Sequence, residues 1–367
     1  MPVYDAEQFE SELIDALQST LSDLPGVTVS SPTFLGFNNH PEIRSDAEFG
    51  IRVAKKAFRI FVEIKKTIYP RDAHQMLWRA HTADRQESMS ESDENTIPLI
   101  AAQSISQGAK EILRKEQFGY FDSGGSLFIQ ASGVYIYIDK PPPKSLKKTI
   151  ETLFRGKRSQ VVHALLLNAG DWVTVKDIAE AANVSPGTAS ETLAALERFD
   201  WISSRGNGPS KARRLERAGE LLSEWAQKTR DAKPPNTLRY FVPRLKADGL
   251  MKSLAEVCDA NTIKYAITEE AAAQVYSPFL SHISQVTCRL QMTRVAELAL
   301  EQLGARAVNE GANLLILDTK SSGPFLFRER IDQIWMASPI QVYLDLLGGK
   351  GRSGALADHL RETKIGF

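Results

Sequence analysis

The sequence predicts a multidomain α/β chain, and three observations carry that expectation. Apolar residues recur at helical spacing in some segments and at a spacing of two in others, and the two kinds interleave along 367 residues. Proline- and lysine-bearing stretches, DKPPPKSLKK at 139–148 and KPPN at 233–236, interrupt the periodic segments twice and read as extended, solvated linkers. Charge is segregated as well. Residues 1–139 hold 13 Lys and Arg against 20 Asp and Glu, a balance of −7, and residues 140–230 hold 16 against 10, a balance of +6. The remainder holds 16 against 15, so the formal net charge of zero conceals a basic middle where a polyanion would dock. The length exceeds one ordinary core, and three domains are expected, at 1–139, 145–230 and 237–367.

The first domain opens with a helix over 6–21, where Phe9, Leu13, Leu17 and Leu21 share one face. VTVSSPTFL, DAEFGIRV and FRIFVEIKK follow as strands. In the last, Phe58, Ile60, Val62 and Ile64 alternate with Arg59, Phe61, Glu63 and Lys65, the pattern of a half-buried strand. RDAHQMLWRAHT reads as a helix and DRQESMSESDENT as a mobile acidic loop. IPLIAA is a short buried strand, and SQGAKEILRKEQ is a helix with Ile105, Ala109, Ile112 and Leu113 inward. Strands broken at Ser123-Gly124-Gly125 and Ser132-Gly133 complete the domain.

The middle domain has the pattern of a winged helix-turn-helix. SQVVHALLLNAG, TVKDIAEAA and SPGTASETLAALERF are its helices. Thr174 with Asp177 three residues on forms a capping box. Asn183 suits a turn position in the left-handed region, Ser185 caps the next helix and Pro186 suits its first position. Ala189, Leu193 and Leu196 face the core, which places Gly187, Thr188, Ser190 and Glu191 at the exposed end that would enter a major groove. WISSRGNGPSKARRLE then makes a strand, a turn and a second strand carrying Arg205, Lys211, Arg213 and Arg214, a basic hairpin placed to touch phosphate. Thr174, Gly187, Thr188, Ser190, Arg205, Lys211, Arg213 and Arg214 are therefore the candidate contacts to double-stranded DNA. Winged helices also serve as protein-docking modules, and this helix is poor in base-reading Arg, Asn and Gln.

The order of elements in the first domain, with Asp46 ahead of Glu63-x-Lys65, resembles the PD-(D/E)XK restriction-endonuclease fold. That resemblance implies Asp46 and Glu63 as ligands of a Mg²⁺ ion and Lys65 as the residue that positions the attacking water, a set of hard oxygen donors beside a point cation. Glu7, Glu10 or Glu12 on the first helix would add a carboxylate. Asp46 lies in IRSDAE and is not preceded by proline.

The last domain, expected to be α+β, mixes helices (LKADGLMKSLAEVCDA, TRVAELALEQLG) with apolar strands (QVTCRL, ANLLILD). GGKGRSG at 348–354 lacks the spacing of a phosphate loop and reads as a loop after a helix end. Asp318 and Asp345 are expected to be solvated or structural. The histidines have no metal-ligand spacing, and the five tryptophans, Trp78, Trp172, Trp201, Trp225 and Trp335, are expected in the core. Cys258 and Cys288 stand far from any CxxC pattern and read as reduced thiols. No apolar run approaches the roughly 20 residues of a membrane span, and the N-terminus does not read as a signal peptide, so a cytoplasmic location without membrane is expected.

VEIKK, IPLIAAQSISQGAKEILRKEQFGYFDSGGSLFI, the helix-turn-helix stretch, YAITEEAAAQVYSPF and ASPIQVYLDLLGGKGRSGALADHLRETKIGF, in that order, resemble the AbiEi-type antitoxins of type IV toxin–antitoxin systems, in the group with a nuclease-like N-terminal region. The resemblance implies a transcriptional regulator that binds promoter DNA and needs no cofactor to do so. It also implies functional opposition to a nucleotidyltransferase-like toxin without a tight complex. A Mg²⁺-dependent DNA endonuclease aimed by the winged helix is the alternative, and an interaction module with neither role is a third.

Overall fold

The computed structural model describes residues 4–34, 46–86, 95–141, 150–280, 282–349 and 351–367. It is an α/β protein whose strands, among the described residues, fall into three sheets. Two compact units divide the chain, residues 1–152 with 194–200, and residues 153–193 with 201–367. Most of the acidic loop and of the first linker, expected at 84–96 and 139–148, lies outside the described residues.

In the first unit, α1 (Tyr4–Ser22) is followed by β1 (Val27–Val29), β2 (Thr33–Phe34), β3 (Ala47–Val53) and β4 (Lys56–Ile68). Then come α2 (Pro70–Gln86), β5 (Thr96–Ile105), α3 (Gln107–Lys115), β6 (Gly119–Asp122), β7 (Leu127–Ala131) and β8 (Val134–Ile138). The sheet runs β1-β3-β4-β5-β6-β7-β8, with β2 also paired to β3. β4, β5 and β6 are mutually parallel and the other pairs antiparallel.

The alternation in FRIFVEIKK sorts β4 between two faces. Phe58, Ile60, Val62 and Ile64 are buried with Leu13, Ile14, Leu17 and Leu21 of α1. The opposite face carries Arg59, Phe61, Glu63 and Lys65. A second cluster joins Ala73, Met76 and Leu77 of α2 and Ala109 and Leu113 of α3 to Ile100, Tyr120 and Phe128 of the sheet. Ser106 caps α3, its hydroxyl accepting the Ala109 N–H. Ile105, expected in that helix, is instead the last residue of β5 and fully buried. Gly125 and Gly133, at φ +87° and +82°, turn the chain between β6, β7 and β8.

One charged pair is sealed inside this unit. Lys110 Nζ lies 2.6 Å from Asp122 Oδ2 and donates to Ser126 Oγ at 2.7 Å. Asp122 Oδ1 accepts the Ser126 N–H, and Ser126 Oγ exchanges hydrogen bonds with the backbone of Lys140. The pair ties α3 to the β6–β7 turn and to the chain leaving β8.

The second unit begins with α4 (Gly156–Leu167), β9 (Val173–Thr174), α5 (Val175–Ala181) and α6 (Pro186–Arg198), the last residues of α6 clustering with the first unit. β10 (Ile202–Arg205), β11 (Ala212–Leu215) and α7 (Ala218–Arg230) follow. The small sheet has the order β10-β11-β9, both pairs antiparallel. A seven-stranded mixed sheet then forms in the order β15-β12-β16-β14-β13-β18-β17. Its strands are β12 (Thr237–Phe241), β13 (Tyr265–Thr268), β14 (Val286–Leu290), β15 (Arg306–Ala307), β16 (Leu314–Asp318), β17 (Glu329–Ile331) and β18 (Ile334–Met336). The helices are α8 (Ala247–Ala260), α9 (Glu269–Tyr276), α10 (Arg294–Gln302), α11 (Pro339–Leu346) and α12 (Ser353–Leu360). α9, α11 and α12 pack together, and α8 packs with α10.

The middle segment and the C-terminal sheet belong to this one unit. His163 of α4 meets the Oγ of Ser338, the cap of α11, at 2.7 Å from Nε2. Arg361 donates to the Gly219 carbonyl and the Ser223 hydroxyl of α7. Burial pushes the His163 imidazole down to about 3, so the folded chain holds it neutral. The unfolded chain takes up a proton below its ordinary value of 6.5, so this group's stability is present above 6.5 and lost as pH falls toward 3.

Lys110→Met leaves a buried carboxylate without its cation. Urea denaturation is expected to show a loss of about 3–5 kcal/mol, with Lys110→Met/Asp122→Asn recovering part of it by removing the charge. An unchanged midpoint in the single variant would contradict a structural role for the pair.

Candidate functional site

The outer face of the small sheet is set by register. β11 pairs Arg214 with Ser203 and Ala212 with Arg205 of β10, and pairs Ala212 with Thr174 of β9. Paired residues share a face, so Thr174, Ser203, Arg205, Ala212 and Arg214 lie on one side. Arg213 lies on the other and is buried, at 6% exposure. The expectation that Arg213 touches phosphate is thereby corrected: the same period of two that presents Arg214 turns Arg213 inward. Arg205 is exposed and Lys211 half-buried at the turn.

Trp172, expected in the core, is half-buried just ahead of β9. The guanidinium carbon of Arg205 lies 4.2 Å from its ring centroid and that of Arg214 5.0 Å. Arg214 is also held by Glu216, which it meets through Nη2 at 2.8 Å and Nε at 2.9 Å. The Ser203 hydroxyl donates to the same Glu216 oxygen, and this donor and Arg214 hold the exposed carboxyl below its usual range. Trp78 departs further from expectation, being 69% exposed on α2, whereas Trp201 and Trp225 are buried.

The helix pair places its residues as the caps require. Thr174 accepts the Asp177 N–H, and Asp177 reaches back to the Thr174 N–H. The Thr174 backbone N–H first, and its hydroxyl second, hold the Asp177 carboxyl below its usual range. The Thr174 hydroxyl donates to Asp177 as well, so it is engaged in the cap. Asn183 takes φ +48° in the turn. Ser185 Oγ accepts the Thr188 N–H at the start of α6. Gly187 and Glu191 are exposed there, and Thr188 and Ser190 are half-buried. Glu191 pairs with Arg158 at 3.2 Å.

In the first unit the register settles a question that spacing leaves open. Ala47 pairs with Val62, and the Asp46 N–H donates to the Val62 carbonyl, so Asp46 stands beside Glu63. Asp46 Oδ2 accepts the Ile64 N–H at 2.6 Å. Glu63 Oε1 is buried, meets Lys65 Nζ at 2.8 Å and makes no hydrogen bond of good geometry. The three residues are therefore brought together. A Mg²⁺ ion is held by one or two carboxylates, with water and phosphate oxygens completing its shell. Asp46 and Glu63 fit that number, with Glu63 Oε1 ion-paired to Lys65 and Asp46 Oδ2 engaged by the Ile64 N–H. Among the described residues, no group of three His, Cys, Asp or Glu is placed to hold a metal. Glu10 and Glu12 belong to α1, which packs on the face opposite Glu63. The side chain of Glu7 lies outside the described residues.

A third cluster was invisible to spacing. Arg289 grips Asp345 with two hydrogen bonds, through Nε at 2.7 Å and through Nη2, and donates to Thr319. Thr268 and Gln341 also donate to Asp345. Asp345 is thus structural, its side chain 4% exposed. Beside it, Glu269 takes φ +52° and accepts from Thr287 at 2.7 Å. Burial pushes its carboxyl up to about 7, opposed by Thr287 and reinforced by the charge of Asp345. Only the pairing of β13 with β14 and the return of α11 bring these residues together.

No family model matches this chain, and neither the curated proteins nor the solved structures contain a match. Among the described residues no helix is long and apolar enough to cross a membrane.

Glu269 is ionised readily in the unfolded chain, at about its ordinary 4.5, and reluctantly in the folded one. Its folded value is raised, so the stability it leaves intact is full below about 4.5 and declines as pH rises through 7. Glu269→Gln is expected to stabilise the fold by about 2–3 kcal/mol at pH 8 and by little near pH 4.5, read from urea melts at both. Equal effects at the two pH values would contradict a buried, reluctant carboxyl.

Proposed function

We propose that the chain is a DNA-binding regulator whose residues 145–230 act as a winged helix, with α6 as the recognition helix and the β10–β11 hairpin as the wing. The observation that carries this reading is the outward basic face of the small sheet, Arg205 and Arg214 gathered on Trp172, next in the chain to a helix that opens with the exposed Pro186 and Gly187. A basic surface of this kind recognises the phosphate backbone. The helix supplies only Thr188 and Ser190 as hydroxyls for base edges, contacts that suit several bases. Recognition is therefore dominated by phosphate and groove shape. The balance of +6 over 140–230 supports a polyanionic partner for this segment rather than for the acidic first 139 residues. The resemblance to AbiEi-type antitoxins supports a regulator of its own promoter, set against a nucleotidyltransferase-like toxin, and rests on the sequence stretches alone.

A second reading is favoured by one specific observation, the placement of Asp46 beside Glu63 and Lys65. If the first unit is a PD-(D/E)XK nuclease, Asp46 and Glu63 hold Mg²⁺, which supplies charge stabilisation at the scissile phosphate, and Lys65 orients water there. A shared shape does not certify the chemistry, so DNA binding is placed first.

Labelled upstream duplex titrated with the purified chain, with and without Mg²⁺, separates the two on native and denaturing gels. Binding with intact strands is expected. Arg205→Glu/Lys211→Glu is expected to weaken it at least about tenfold while the melting temperature holds. Binding unaffected by the double reversal would overturn the winged-helix reading. Scission that needs Mg²⁺ and disappears in Glu63→Ala would establish the nuclease instead.

A further inference from the structure

The hairpin arginines are not equivalent. Arg214 is engaged twice by Glu216, whose carboxylate offsets its charge and is itself fixed by Ser203. Arg213 is buried. Arg205 is exposed, lies 4.2 Å over Trp172, and has no carboxylate partner among the described residues. A long cationic side chain that is free in solution loses rotamer freedom when it binds a phosphate, and that loss reduces affinity. A guanidinium already resting on an indole has lost much of that freedom beforehand, and the ring leaves its N–H edge open to an anion. The contacts Ser203–Glu216–Arg214–Trp172 thus form a connected backing under Arg205.

Resting on the DNA-binding reading, we infer that Arg205 is the hairpin's preorganised phosphate contact. Trp172 is its positioning residue, and Arg214 belongs to the backing rather than to the DNA contact. The ligand class is a nucleic-acid phosphate backbone. Trp172 acts through Arg205 and not by stacking on a base.

The test is a double-mutant cycle in the full-length chain, with duplex affinity measured over a salt series. Arg205→Ala removes one phosphate contact, so the slope of log K against log salt is expected to become shallower by about 0.9. Trp172→Leu keeps the charge, so the slope is expected to hold while affinity falls about 3- to 10-fold. In the Arg205→Ala background, Trp172→Leu is expected to have no further effect. Trp172→Phe, with a smaller ring that keeps the site filled, is expected to give an intermediate loss and the same non-additivity, which separates positioning from misfolding. Additive losses from Trp172 and Arg205 would overturn the inference, because Trp172 would then meet DNA directly. A slope reduced by Arg214→Ala as much as by Arg205→Ala would overturn it too. A wild-type chain that binds no duplex at any salt would overturn the DNA-binding reading and this inference with it, whereas wild-type binding with an additive cycle would overturn the inference alone.

Discussion

Side-chain alternation along β11 is the constraint on which the proposed interface depends. A strand has two faces, and consecutive residues must take opposite ones. Arg213 and Arg214 are neighbours in sequence, yet one is buried and the other shares the outer face with Arg205 and Trp172. Slipping the hairpin register by one residue would exchange them, place a cation in the open that now packs inside, and bury the partner of Glu216. Glu216 and Trp172 are tied to that same outer face. The pairing of β9 with β11 is what carries Trp172 under the arginines, and β9 is also where the Thr174 capping box starts α5. One register therefore joins the hairpin's charge to the helix pair's cap.

The same logic governs the first unit. There the β3–β4 register puts the carboxylate just ahead of β3 beside the one on β4, with a lysine two residues on along β4. The apolar half of β4 is held by α1, so the charged half cannot turn inward without emptying that core. The arrangement serves a nuclease or a scaffold equally well, because backbone pairing and not catalysis maintains it. The basic segment, in contrast, combines an exposed cation, an aromatic ring beneath it and a net positive charge, which together favour a polyanion.

Periodicity and capping were legible in the sequence because both are local. Leu13, Leu17 and Leu21 face the core as their spacing requires, and so do Ile60, Val62 and Ile64. Asn183 takes the left-handed turn. What escaped was decided by partners distant in sequence. Ile105 closes β5 instead of opening a helix, because Ser106 is the better cap. Apolar patterning places Trp172 and Trp78 in the core, and only strand pairing and helix packing show which side of each element meets solvent. The Arg289–Asp345 grip joins residues 56 apart, and Lys110, Asp122 and Ser126 meet across two turns. No spacing rule reaches such pairs, since their types are those of ordinary surface residues.

The most direct test of the central claim is the salt dependence of wild-type binding to a short duplex, followed by fluorescence anisotropy between about 50 and 200 mM salt. The account predicts binding whose affinity falls steeply and log-linearly with salt, the mark of phosphate contacts releasing counterions. Absence of binding at the lowest salt, or an affinity indifferent to salt, would contradict it.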